Sequence, residues 1–139
     1  MLDDMKGGAD AAGAAVRVPE SRMQATITTF SDAWSRGDVD RLMSLMSDAP
    51  LYRTSSGLTF TGRDEVRQGF ACLCQPPKSP PPAPAPAGKF FFFDDKCLSY
   101  WTLTLPVPGG ESRAVDGIDV ITFDPDGRIR IKDAYRKGS

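Results

Sequence analysis

The run Val115-Asp116-Gly117-Ile118-Asp119-Val120-Ile121-Thr122-Phe123, closed by the turn Asp124-Pro125-Asp126-Gly127, constrains the fold more than any other part of the chain. It reads as a β-strand that is apolar through its middle on both faces. One carboxylate, Asp119, shares a face with Val115, Ile121 and Phe123. A charge in such a row is costly to strip of water, so the group should be paired, protonated or turned to solvent.

More strands surround this one. Phe90 to Phe93 and Lys96 to Val107 precede it, and Arg128 to Arg136 follows the Asp126-Gly127 hairpin. Trp101, Leu103 and Leu105 alternate with Tyr100, Thr102 and Thr104, giving one apolar face. The first half of the chain is helical. Met23, Ile27, Phe30 and Trp34 recur at helical spacing after a capping box, Ser21-x-x-Gln24, and Gly37 stops the helix. Asp38 caps a second helix bearing Val39, Leu42, Leu45 and Met46. Ala49 to Thr54 and Leu58 to Thr61 are short extended pieces around Ser55-Ser56-Gly57. Thr61-x-x-Asp64 forms another capping box, opening a third helix with Val66, Phe70 and Leu73 inward.

The layout is α+β: a curved antiparallel or mixed sheet, cone-shaped, wrapped around three N-terminal helices. Residues 1–18, rich in Ala and Gly, are expected as a flexible tail before a single domain over 19–139. The Pro/Ala-rich segment 75–88 lacks ladder donors and is expected as an extended surface loop, placed where it could also cover a pocket mouth. A sheet of this curvature encloses space. Whatever the helices leave unfilled would be an apolar pocket with a few polar groups.

The 139 residues contain no histidine, which removes the commonest general base and metal ligand together. No metal or cofactor is expected, and acid–base work falls to Asp, Glu, Tyr, Lys or Cys. A net charge of -1 without a long basic run makes nucleic acid an unsuitable partner, and no apolar run is long enough to span a bilayer. Met1 to Lys6 lacks the order of a signal peptide. Cys72, Cys74 and Cys97 read as reduced thiols, so a cytoplasmic location is expected.

Four motifs, Phe30-x-x-x-Trp34-x-x-Gly37-Asp38-Val39-Asp40, Thr61-Gly62-Arg63-Asp64-Glu65-Val66, Gly117-Ile118-Asp119-x-x-x-Phe123 and Asp126-Gly127-Arg128-Ile129, occur in this order between Ser21 and Arg136. In them the chain resembles the nuclear transport factor 2-like superfamily, in its ketosteroid isomerase and SnoaL-like (polyketide cyclase-like) branch. The resemblance implies a cystatin-like α+β barrel, a homodimer and a pocket for a small apolar ligand. It also places Asp119 at the isomerases' oxyanion aspartate, a carboxylic acid kept neutral by an apolar site so that it donates a hydrogen bond. The isomerases' oxyanion tyrosine falls on Phe30, and their catalytic base on Thr54. The cyclases' histidine has no counterpart. Hydrolases of this fold carry an arginine where Gly117 stands here, and their second aspartate has only Asp133 as a candidate.

The candidate catalytic group is Asp119, assisted by Tyr52 or Lys132. Tyr52 shares a strand face with Thr54. Lys132 alternates with Ala134 and Arg136 on the last strand. A strand lysine more commonly faces solvent, but turned inward beside Asp119 it would favour the anion and change that residue from acid to base. Phe30, Trp34, Thr54, Phe70, Trp101, Val115 and Ile121 are expected to line the pocket. Two functions fit: an isomerase or cyclase acting through an enolate of a steroid- or polyketide-like carbonyl compound, or a non-catalytic ligand-binding or dimerisation module.

Overall fold

The computed structural model describes residues 18–74, 89–106 and 108–137; the proline-rich loop and residues 1–17 of the expected tail lie outside them, while Val18, expected in that tail, is buried in the core. Among the described residues nine elements follow in order: α1 (Glu20–Arg36), α2 (Val39–Ser44), β1 (Met46–Arg53), β2 (Thr59–Thr61), α3 (Gly62–Leu73), β3 (Phe90–Phe93), β4 (Lys96–Pro106), β5 (Ser112–Phe123) and β6 (Ile129–Arg136). The strands form one six-stranded sheet in the order β2-β1-β6-β5-β4-β3. β1 and β6 run parallel and every other pair is antiparallel, so the sheet is mixed. It is open, with β2 and β3 at its edges, so the architecture is a cone wrapped on three helices rather than a closed barrel.

The apolar stripe of α1 packs as its spacing predicts, with Met23, Ile27 and Phe30 buried and Trp34 partly so. Its start differs. The helix opens after Pro19, whose carbonyl accepts from the amides of Arg22 and Met23 at 3.0 Å, and Ser21 makes no cap. Pro19 takes the N-cap place, so the Ser21 box comes two residues too late to cap the helix. Gly37 ends the helix at φ 68°, a left-handed conformation that costs glycine little. Asp38 caps α2 by accepting from the Arg41 amide at 3.1 Å.

Thr61 is the N-cap of α3, but its side chain makes no cap bond. The returning carboxylate is that of Glu65, which accepts from the Thr61 amide at 2.9 Å, not that of Asp64. Leu73, expected inward, is exposed at the end of the helix, whereas Gly69 is buried. A Cβ at Gly69 would lie 2.7 Å from the Phe60 ring, so glycine lets α3 press onto β2. β1 begins at Met46, three residues earlier than its apolar pattern suggests. Between Met46↔Ile129 and Leu51↔Ile131 its register against β6 is irregular, and that stretch holds Pro50, which cannot donate to a ladder. Arg63 pins this corner, donating to the carbonyls of Met43 (3.1 Å), Met46 (3.0 Å) and Ser47 (2.9 Å).

Candidate functional site on the inner face of the sheet

Cross-strand register sets the site. On the face toward the helices, Tyr52 stands opposite Lys132, Lys132 opposite Ile121, and Ile121 opposite Cys97. All four are buried. One step toward the open end of the cone, Ala134, Asp119 and Ser99 form the next row, and Gly117 and Trp101 pair in the row beyond. Asp119 therefore has Lys132 on one diagonal and Trp101 on the other, and both reach it. The Trp101 indole Nε1–H donates to Asp119 Oδ1 at 3.0 Å, and Lys132 Nζ lies 3.4 Å from Oδ2.

Lys132 thus faces inward, against the usual preference of a strand lysine. Its ammonium sits over three rings, 4.7 Å from the centroid of Tyr52, 5.2 Å from Trp34 and 5.9 Å from Phe30. The ring faces attract the cation while Asp119 supplies its counter-charge. Beneath it the rings pack on one another: Phe30–Trp34 at 6.0 Å, Trp34–Phe70 at 5.8 Å, Phe30–Phe70 at 5.7 Å and Tyr52–Phe70 at 5.2 Å. The expected hollow is therefore filled at its floor. Phe30 and Phe70, expected to line a pocket, are core residues, as is Ile121. Val115, also buried, lies farther along β5.

Burial raises the Tyr52 phenol well above its ordinary range, with the Asp119 carboxylate and then Cys74 adding to the effect. The hydroxyl stays protonated and can donate. Cys97 is pushed up to about 11 by burial, reinforced by Asp119. Cys74 is also pushed up to about 11 by burial, with Lys132 opposing. Both thiols remain protonated near neutrality and are poor nucleophiles. Thr54, at the isomerases' base position, is engaged in the turn after β1. Its hydroxyl bonds Ser56 Oγ at 2.9 Å and accepts from the Leu58 amide at 3.0 Å.

Asp133 points to the other face, where it takes Arg53 Nη1 at 3.4 Å and the Tyr135 hydroxyl at 3.0 Å. It is no second inner carboxylate. The sequence reading missed the role of Trp101 as the donor to Asp119, and with it the reason for Gly117. A Cβ at Gly117 would collide with Cζ2 and Cη2 of Trp101, so glycine is what lets the indole cross β5. The signal was the departure from the arginine of the hydrolases at that position. A cleft of about 380 Å³ lies at the end of the sheet, between residues 53–59 and the last residues of β6; it includes Thr54 and Ala134 but not Asp119, Lys132 or Tyr52.

The fold, three helices against an open mixed sheet with a polar pair on its inner face, defines a member of the nuclear transport factor 2-like class. Residues 27–131 match the model of the SnoaL-like domain, and the chain belongs to that family. Comparison with curated protein sequences found no match. Among solved structures, the chain is similar to a nuclear transport factor 2-like protein of unknown function from Mesorhizobium loti, at 19% identity and TM-score 0.60, covering 85% of this chain and 93% of that one. It is also similar to a putative polyketide cyclase from Xanthomonas campestris pv. campestris (14% identity, TM-score 0.63, 83% and 90% covered). A third is TerC co-crystallised with polyporic acid (14% identity, TM-score 0.65, 84% and 92% covered). At these identities the likeness establishes the fold.

Proposed function

We propose that the inner face binds an apolar small molecule through its carbonyl group and moves a proton on the neighbouring carbon, leading to isomerisation or cyclisation through an enolate. The observation that carries this is the Asp119–Lys132 pair at 3.4 Å, set over three aromatic rings and fixed by Trp101. Asp119 accepts in both of its contacts, so its role here is that of base, not the donor role which the family position implies. The Lys132 ammonium has three protons and gives one direction to Asp119, leaving donors for a carbonyl oxygen. Tyr52, kept protonated by burial, is the second donor. As Asp119 takes the C–H proton, the electron pair moves onto that oxygen, where the fixed cation stabilises the growing charge. Return of the proton to another carbon completes an isomerisation; attack of the enolate carbon on a second carbonyl of the ligand breaks that C–O π bond, and passage of the Asp119 proton to the new alkoxide oxygen completes a cyclisation.

Deuterium incorporation into 2-tetralone, followed by NMR in heavy water, tests this. The protein should accelerate exchange beside the carbonyl, and Asp119→Asn should lower the acceleration by about 100-fold or more, the usual weight of a general base. Equal rates for the two proteins would remove the catalytic assignment.

A second reading draws on the outer face. Phe91, Phe93, Tyr100 and Tyr135 are about half exposed there, next to the partly buried Leu98, Ile118, Val120 and Ile131. A contiguous apolar sheet face of this kind suits a second copy of the chain. We propose a homodimer through it, with the ring-filled cone serving as a ligand-holding or purely structural core. Light scattering should give twice the chain mass, and Phe91→Glu should give the monomer; a monomeric wild type would exclude it.

A further inference from the structure

The cleft at the end of the sheet takes no part in the chemistry above, yet it adjoins that site. Ala134, which lines it, stands directly opposite Asp119 on β5. By strand alternation Ala134 lies on the same face of β6 as Lys132, so this row is where the cleft comes nearest the inner pair. At about 380 Å³ the cleft is within the size range of small-ligand sites.

We propose that this cleft is a subsite for a carboxylate carried by the same ligand whose carbonyl reaches Lys132. The proposal rests on the reading of the inner face as a ligand site, and it narrows the ligand to an apolar ring system with a carbonyl at one end and an acid at the other. The charges favour this. Among the residues that line the cleft, Arg53 and Arg136 carry guanidinium groups and Asp133 carries a carboxylate. That carboxylate already takes both Arg53 and the Tyr135 hydroxyl. Arg136 has no part in that cluster, and its planar fork matches the two oxygens of a carboxylate. One surplus positive charge suits a monoanion better than a phosphate dianion.

The test compares 6-acetyl-2-naphthoate with 2-acetylnaphthalene, which share the ring and ketone but differ in the acid. Calorimetric titration of the full chain should show the acid bound about fivefold more tightly, the scale of a partly exposed ion pair. Arg136→Gln should abolish that preference and leave the neutral ketone's affinity unchanged. Asp133→Asn, which removes the competing carboxylate, should widen the preference. The subsite is overturned if Arg136→Gln keeps the preference or weakens both ligands alike. The ratio between ligands reads the cleft alone. A failure of proton transfer at Asp119 would appear instead in the deuterium exchange, with this ratio intact.

Discussion

Lys132 and Asp133 are consecutive on β6, point to opposite faces and each hold an ion pair across the sheet. The inner pair, Lys132–Asp119, has side chains 8% and 14% exposed; in the outer pair, Arg53–Asp133, they are 50% and 18% exposed. The chemistry is nearly the same, but the surroundings reverse its meaning. Outside, water competes for both partners, so the pair adds little. Inside, both ions have lost most of their water, and attraction within the pair offsets that cost only while both partners remain. The inner pair is therefore a poor device for stability alone, and the proposed chemistry rests on that.

The largest effect should come from breaking the inner pair on one side. Lys132→Met or Asp119→Leu alone strands an ion, and each should cost about 3 kcal/mol in denaturant unfolding. Gly117→Ala should come next. It drives the Trp101 indole off β5, at about 1–3 kcal/mol for an overpacked site, and takes the hydrogen bond from Asp119; the fluorescence of Trp101 should shift toward that of an exposed indole. The smallest stability effect belongs to the outer pair. Arg53→Ala should change unfolding by less than about 1 kcal/mol, and a larger loss would erase the contrast between the faces.

Titration at high pH separates the faces by cause. Tyr52 is raised chiefly by burial, whereas Tyr135 is raised chiefly by its hydrogen bond to Asp133. Asp133→Asn should bring one tyrosine back toward its ordinary range in ultraviolet titration while Tyr52 stays high. Because Tyr52, Cys74 and Cys97 all ionise later in the folded chain than in the unfolded one, their contribution is complete below the unfolded thiol value of 9.0. Stability should thus hold through neutral pH and fall as pH rises through about 11, where the two thiols ionise in the fold.

Much of the architecture was legible because it depends on periods of a few residues. The α1 stripe, the two-residue alternation that turns Asp119 inward, and the Gly37 and Asp38 corner are all local. Local rules erred where a neighbour in sequence competed: Pro19 displaced the Ser21 cap, and Glu65 replaced Asp64. What the sequence could not disclose depends on register. Lys132 is inward because Phe30 and Trp34 on α1 and Tyr52 on β1 converge beneath it, and no spacing along β6 records those rings. Trp101 and Gly117 are likewise 16 residues apart in the chain but opposite in the sheet. The filled floor also escaped prediction, since the same aromatics serve equally as pocket walls or as packing.

The central claim is that the inner pair is kept for chemistry rather than for stability, and a double-mutant cycle tests it most directly. Unfolding free energies of the wild type, Lys132→Met, Asp119→Leu and the double variant should show each single change costing about 3 kcal/mol and the double variant returning to within about 1 kcal/mol of the wild type. A double variant that loses the sum of the two single losses would show that the two residues stabilise the fold independently, and would contradict the account.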